Sequence, residues 1–186
     1  MVQIMCILVV VMSITFAVLN MTKRLAYINY RRFLWIMFCV YVIGNLYCTV
    51  FSREWGSGVT VEFRPFMSIV RLFGEPIEAD GNAVGFFARF MSGAAPYTGI
   101  IINILLYYPL GYLLPILFPK LKPKHVILIG CLCSIATEAT QYILKMGWCE
   151  TDDVIHNTLG TAIGVWVWYL QSKRLNKPKS NELPKD

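Results

Sequence analysis

Glu138 and Gln141 lie inside one apolar run, and Asp152 and Asp153 open the next, which carries Asn157, Gly160 and Gly164. On a helix, Ser134, Glu138, Gln141 and Lys145 follow the spacing i, i+4, i+7, i+11 and share one stripe. Asp153, Asn157, Gly160 and Gly164 repeat that spacing on the next helix. A carboxylate at the middle of a membrane span costs about 2.5–3.5 kcal/mol on insertion scales, so one found there is by default a functional residue. Glu138 and Asp153 are therefore the candidate catalytic pair, since a carboxyl in a partly dry cavity has a raised pKa and can act as a general base. Asn103, Gln141, Asp152 and Asn157 are candidate substrate-binding groups. Each has a structural reading too. Asp152 or Asp153 would cap a helix N-terminus, the amides would be interhelical hydrogen-bonding groups worth about 0.6 kcal/mol, and Glu138 would pair with Lys145.

The elements that position these residues are membrane helices. Of 186 residues, 56% are hydrophobic and only 15% charged, outside the usual range of soluble domains. The net charge of +6 does not imply nucleic acid, because the basic residues only flank apolar runs and form no aromatic-interleaved surface. Anionic lipid headgroups are the expected partners of those charges. There is no CxxC pair among the six cysteines, so neither a zinc site nor a redox motif is signalled and no cofactor is implied. Cys48 and Cys149 both fall near the same helix ends, but nothing in the sequence favours a disulfide between them.

The expected fold is all-α, a polytopic bundle of about five transmembrane helices with the N-terminus outside and the C-terminus cytoplasmic. The predicted spans are 2–19, 33–51, 98–118, 125–144 and 154–170 within one domain, 1–172. The basic residues of 20–32, the lysines Lys120, Lys122 and Lys124, and the basic tail 173–186 would all be cytoplasmic, and the tail disordered. Residues 2–19 precede their basic flank, which argues for a retained span over a cleaved signal peptide. The loop 53–97 has nearly balanced charge and would lie outside. Two short apolar segments in it, 63–73 and 86–91, either lie in or re-enter the membrane interface or form a small cap on the helix ends.

At 1.5 Å per residue, Asn103 sits about 7 Å, Glu138 about 10 Å and Asn157 about 6 Å below the outer helix ends. Three polar groups from three spans thus share one depth and are expected to converge. Gly160 and Gly164 form a GxxxG spacing that permits close helix approach. His156 near Asp152, Asp153 and Glu138 invites a metal, but His125 falls on the opposite side and the nitrogen and sulfur ligands zinc prefers are missing. No metal is expected.

These residues resemble the VanZ-like integral membrane proteins. The resemblance covers about 63–164 and rests on FRPFMSI at 63–69, NILLYYPLGYLLP at 103–115, the E-x-x-Q of Glu138 and Gln141, DDVIHNTLG at 152–160, and Gly164. It implies roles for Asn103, Gly111, Glu138, Gln141, Asp153, Asn157 and Gly160, the glycines in helix packing. Many members have a basic residue in the loop before the aspartates, where this chain reads KMGWCETDD. Lys145 or Arg64 would have to bind an anionic group in its place. The resemblance implies a Gram-positive cell-membrane protein that lowers susceptibility to glycopeptide antibiotics, teicoplanin in particular, without rebuilding the cell-wall precursor. Its expected partners are membrane lipids and a lipid-linked envelope precursor or the glycopeptide itself. Two alternatives stand beside this: a membrane-embedded enzyme acting on a lipid-linked wall or teichoic-acid component through Glu138 and Asp153, and a non-catalytic assembly partner using its GxxxG face.

Overall fold

The structure, a computed structural model, describes residues 30–74 and 97–175, together with Val11. The predicted span 2–19, apart from Val11, the loop segment 86–91 and tail residues 176–186 lie outside the described residues. The elements are α1 (Tyr30–Leu46), continued by a π-helical turn Tyr47–Phe51, then β1 (Gly58–Glu62), α2 (Met67–Gly74) and α3 (Tyr97–Leu117), followed by α4 (Pro123–Ile143), β2 (Met146–Glu150) and α5 (Thr151–Leu175). Three stretches, Arg31–Phe51, Tyr97–Leu117 and Pro123–Ile143, are long and apolar enough to cross a membrane. They coincide with three predicted spans, and α5 contains the stretch 154–170.

Local chemistry sets the helix ends. Extended Lys122 and Pro123 at the first helical position start α4, because proline fixes φ and loses no needed N–H there. Asp152 and Asp153 in the first turn of α5, with Lys173 and Arg174 in its last, match the helix dipole. Large apolar side chains remain exposed along the helices, including Ile36 and Ile43 on α1, Leu128, Leu132 and Ile135 on α4, and Trp166 and Leu170 on α5. Such faces suit hydrocarbon and not water. With the family resemblance they mark a helical membrane protein.

Glycines bring α3 and α5 into backbone contact. A Cβ on Gly160 would collide with the Ile104 carbonyl, one on Gly164 with the Tyr108 carbonyl, and one on Gly111 with the Thr161 carbonyl. Ile104 and Tyr108 advance along α3 as Gly160 and Gly164 advance along α5, so the two helices run parallel. α4 runs against α5, with Gly130 under the Thr161 side chain and Ser134 bonded to Asn157. α1 runs against α3, since Leu34 packs with Leu113 and Leu117 while Tyr41 packs with Leu106 and Leu110. Direction therefore alternates along α1, α3, α4 and α5. One end of the bundle collects Arg31, Arg32, Lys120, Lys122, Lys124, Lys173 and Arg174, and the other collects the carboxylates and both strands.

The strands correct the all-α expectation. β1 and β2 form a two-stranded parallel sheet in the register Gly58↔Met146 through Glu62↔Glu150. The start of the predicted outer loop is thus a small cap on the helix ends, joined to α4 by the Gly56 N–H donating to the Leu144 carbonyl at 3.1 Å. α4 ends at Ile143, and Lys145 takes a left-handed φ of 51° to turn the chain into β2. Lys145 is exposed, so the polar stripe on α4 stops at Gln141.

Adding a methyl group at Gly111 should force the two backbones apart, an overpacking cost of about 1–3 kcal/mol. Gly111→Ala is expected to lower the melting temperature of the detergent-purified protein. Gly99→Ala, where a Cβ meets nothing within 4 Å, should leave it unchanged.

Candidate functional site

The first turn of α5 presents two adjacent carboxyls with opposite fates. Asp152 is buried and accepts hydrogen bonds from the Phe66 N–H (2.5 Å), the Ser68 N–H (2.6 Å) and the Ser68 hydroxyl (2.5 Å). Burial pushes its carboxyl up, but these bonds outweigh burial and hold it below the usual carboxylate range. Asp152 therefore works as a clamp that ties the start of α2 to α5. Asp153 accepts a hydrogen bond from the Asn103 amide on α3 at 2.6 Å. Burial raises its carboxyl and Glu150 adds to this, while Arg53 and Asn103 pull it back, leaving it at about 6. Such a group exchanges a proton near neutral pH.

Glu138, in the last two turns of α4, is 6% exposed. Its Oε2 accepts the Glu150 N–H at 3.1 Å, the Cys149 thiol bonds to it, and it interacts electrostatically with Asp153 and Arg53. Burial, with Glu138 beside it, raises the Cys149 thiol. Arg53 follows the π-helical turn, and its Nη1 donates to the Met146 carbonyl at 3.4 Å. One turn from Asp153 toward the bundle middle, the Asn157 amide donates to the Ser134 hydroxyl at 2.8 Å, and one turn from Glu138 toward the end of α4, the Gln141 amide donates to the Thr49 carbonyl at 2.9 Å. Among the described residues, Gln141 Oε1 and Asn157 Oδ1 are buried without a hydrogen-bond partner.

Asn103, Glu138, Gln141, Asp152, Asp153 and Asn157 all stand at the same end of the bundle. The contact expected among Asn103, Glu138 and Asn157 is replaced by bonds to neighbours: among the described residues no hydrogen bond joins any two of the three. Asn103 bonds to Asp153, Asn157 bonds to Ser134, and Glu138 lies one turn from Ser134 and close enough to feel the Asp153 charge. Gly111, Gly160 and Gly164 lie at the close helix contacts. Arg64 is placed elsewhere: it is exposed and forms a forked pair with Glu62, at 2.9 and 2.8 Å. Neither it nor Lys145 stands in for the absent loop arginine. Arg53 reaches that loop instead, and in the sequence it is only one of many balancing charges. Glu150, Cys149 and Ser68 were equally hidden, because strand pairing and the Asp152 clamp bring them in from distant segments.

No disulfide joins Cys48 and Cys149: Cys48 lies in the helical core and Cys149 at Glu138. His156 is buried close to Asp152 and Glu150. Among the described residues, no group of three or more His, Cys, Asp and Glu is arranged to hold a metal ion. What the site can do is exchange a proton at Asp153, hold a donor-bearing ligand against two carboxyls, and attract an anion to Arg53.

A family model described as VanZ/LLP1 matches residues 38–172. Over 82 residues the chain is 30% identical to Protein VanZ of Enterococcus faecium, a match covering 43% of this chain and 50% of that protein. The chain thus spans about half the length of this curated relative. No solved structure matches.

Asp153 generates a pH signature. Its carboxyl holds a proton in the folded state up to about pH 6, whereas an unfolded aspartate releases it near 3.8. The folded state binds more protons between these values, so this contribution to stability is complete in acid and is lost as the pH rises through about 6. Thermal unfolding in detergent should show that loss for the wild type, and Asp153→Asn should remove this component. An unchanged pH slope in the variant would assign the effect elsewhere.

Proposed function

The chain belongs to the VanZ/LLP1 family, and from that membership and the geometry of its polar end we propose that it is a multi-pass cell-membrane protein that lowers glycopeptide susceptibility from the outer face. The observation that carries the reading is the half-buried cluster of Glu138, Asp153 and Asn103 at the bundle end opposite the basic residues. The positive-inside rule puts the basic end in the cytoplasm. The cluster, the sheet and α2 then face outward, the C-terminus lies inside, and a span at 2–19 carries the N-terminus outside. A large glycopeptide crosses a membrane poorly, so the useful place to alter its action is the outer leaflet. Teicoplanin anchors there by its lipid tail, so its action depends on leaflet composition more than that of vancomycin does.

A second reading, supported by the near-neutral Asp153 beside Glu138, is an enzyme that uses these carboxyls as acid and base on a lipid-linked envelope component. The assembly-partner reading loses its main support, because the glycine face it would use is filled by α3.

In a cysteine-free background, Ser57→Cys should react with an impermeant reagent from outside, and Lys122→Cys only after permeabilisation; labelling of both from one side would refute the orientation. Expressed in a susceptible Gram-positive host, the protein should raise the inhibitory concentration of teicoplanin more than that of vancomycin, with the precursors unchanged. Glu138→Ala at equal membrane level should abolish this protection. Glu138→Gln tests what the carboxyl supplies, since an amide keeps the hydrogen bond to Glu150 but carries neither charge nor proton. Protection should survive that change if Glu138 is only a hydrogen-bond acceptor and disappear if its charge or its proton is used.

A further inference from the structure

Among the described residues, the polar end has more acceptors and negative charge than donors and cations to meet them. Glu138 and Asp153 offer four carboxyl oxygens, to which Glu150 N–H, the Cys149 thiol and the Asn103 amide donate. The Gln141 and Asn157 amide oxygens add two buried acceptors without partners, on residues 2% and 3% exposed. They flank the carboxyl pair from opposite sides: Gln141 stands one turn from Glu138 toward the end of α4, and Asn157 one turn from Asp153 toward the bundle middle, bonded to Ser134. Among the described residues cations are scarce there. Arg64 is taken up by Glu62 and Lys145 is exposed, which leaves Arg53, itself bonded to the Met146 carbonyl.

The missing component is a compact group that is positive and donates several hydrogen bonds. Among the described residues, no group of three or more His, Cys, Asp and Glu is arranged to hold a metal ion. A primary ammonium fits, because it has three N–H donors and a charge that strengthens each bond to a carboxylate. A quaternary ammonium has the charge but no donor, and so could not satisfy the orphaned amide oxygens. We propose that this cluster is a binding site for a primary ammonium group carried by a component of the outer leaflet, with Glu138 and Asp153 as its counter-charges and Arg53 positioned for an anionic group on the same molecule. Asp153, Cys149 and Glu150 are partly exposed, so the amine enters from the cap side. The inference rests on the outward placement proposed above for its source. The site itself is tested without it.

The test uses the full chain purified in detergent, so its outcome is independent of orientation and of resistance. Native mass spectrometry compares retention of phosphatidylethanolamine, phosphatidylcholine and phosphatidylglycerol with identical acyl chains. Phosphatidylethanolamine should be retained about tenfold over phosphatidylcholine, the scale of one charge-assisted hydrogen bond. Glu138→Gln and Asp153→Asn should each bring that preference close to parity. Melting curves with free ethanolamine and tetramethylammonium give a readout that needs no variant: ethanolamine should raise the melting temperature of the wild type and tetramethylammonium should not. Stabilisation by ethanolamine without a lipid preference would support the ammonium site and make its source a soluble amine. Equal retention of the ethanolamine and choline lipids together with equal effects of the two free cations would overturn the proposal, as would a lipid preference that persists in both variants.

Discussion

The backbone contact between α3 and α5 is the constraint on which the polar end depends. Gly111, Gly160 and Gly164 remove the side chains that would separate the two helices, and the parallel direction then sets their N-terminal ends side by side. Membrane helices gain no hydrophobic drive from associating with each other, so close packing of small residues has to supply the attraction. That contact delivers Asn103 to Asp153. α4 joins in the opposite direction, with Gly130 beneath Thr161, and so its C-terminal turns, carrying Glu138 and Gln141, arrive at the same end.

The cap adds a second set of partners to this meeting of helix ends. β1 pairs with β2 in parallel, and the sheet brings the Arg53 end of α1 to the segment that supplies the Glu150 N–H to Glu138. Asp152 fastens α2 at the other edge. The two aspartates show how neighbouring positions diverge. Three donors make Asp152 a fixed anion, whereas Asp153, with Asn103 and a more distant Arg53, keeps a proton affinity near neutrality. A fixed anion suits structure, and a group poised between states suits binding or chemistry.

Much of this was legible in the sequence. The i, i+4, i+7 spacing of Ser134, Glu138 and Gln141 placed three buried groups on one face of α4, and basic flanks gave alternating helix directions that the contacts reproduce. Common depth put Asn103, Glu138 and Asn157 at one end. It could not specify that Asn103 would meet Asp153 and Asn157 would meet Ser134, because depth along an axis says nothing of rotation around it. The sheet was not legible, since β1 and β2 are short, half-exposed and contribute partners that lie far apart in the chain. Lys145 looked like the next residue of the stripe until the left-handed turn removed it. Arg53 was hidden for the same reason as the sheet that positions it.

Asn103 and Asp153 form one hydrogen-bonded unit where α3 meets α5. Exchanging them tests this directly, because Asn103→Asp alone places two carboxyls against each other, whereas Asn103→Asp with Asp153→Asn restores one amide and one carboxyl in contact. The measurement is teicoplanin protection at matched membrane levels. The single substitution should lose protection and the exchanged pair should regain it. A single variant that protects like the wild type, or an exchanged pair that protects no better than the single, would contradict the account.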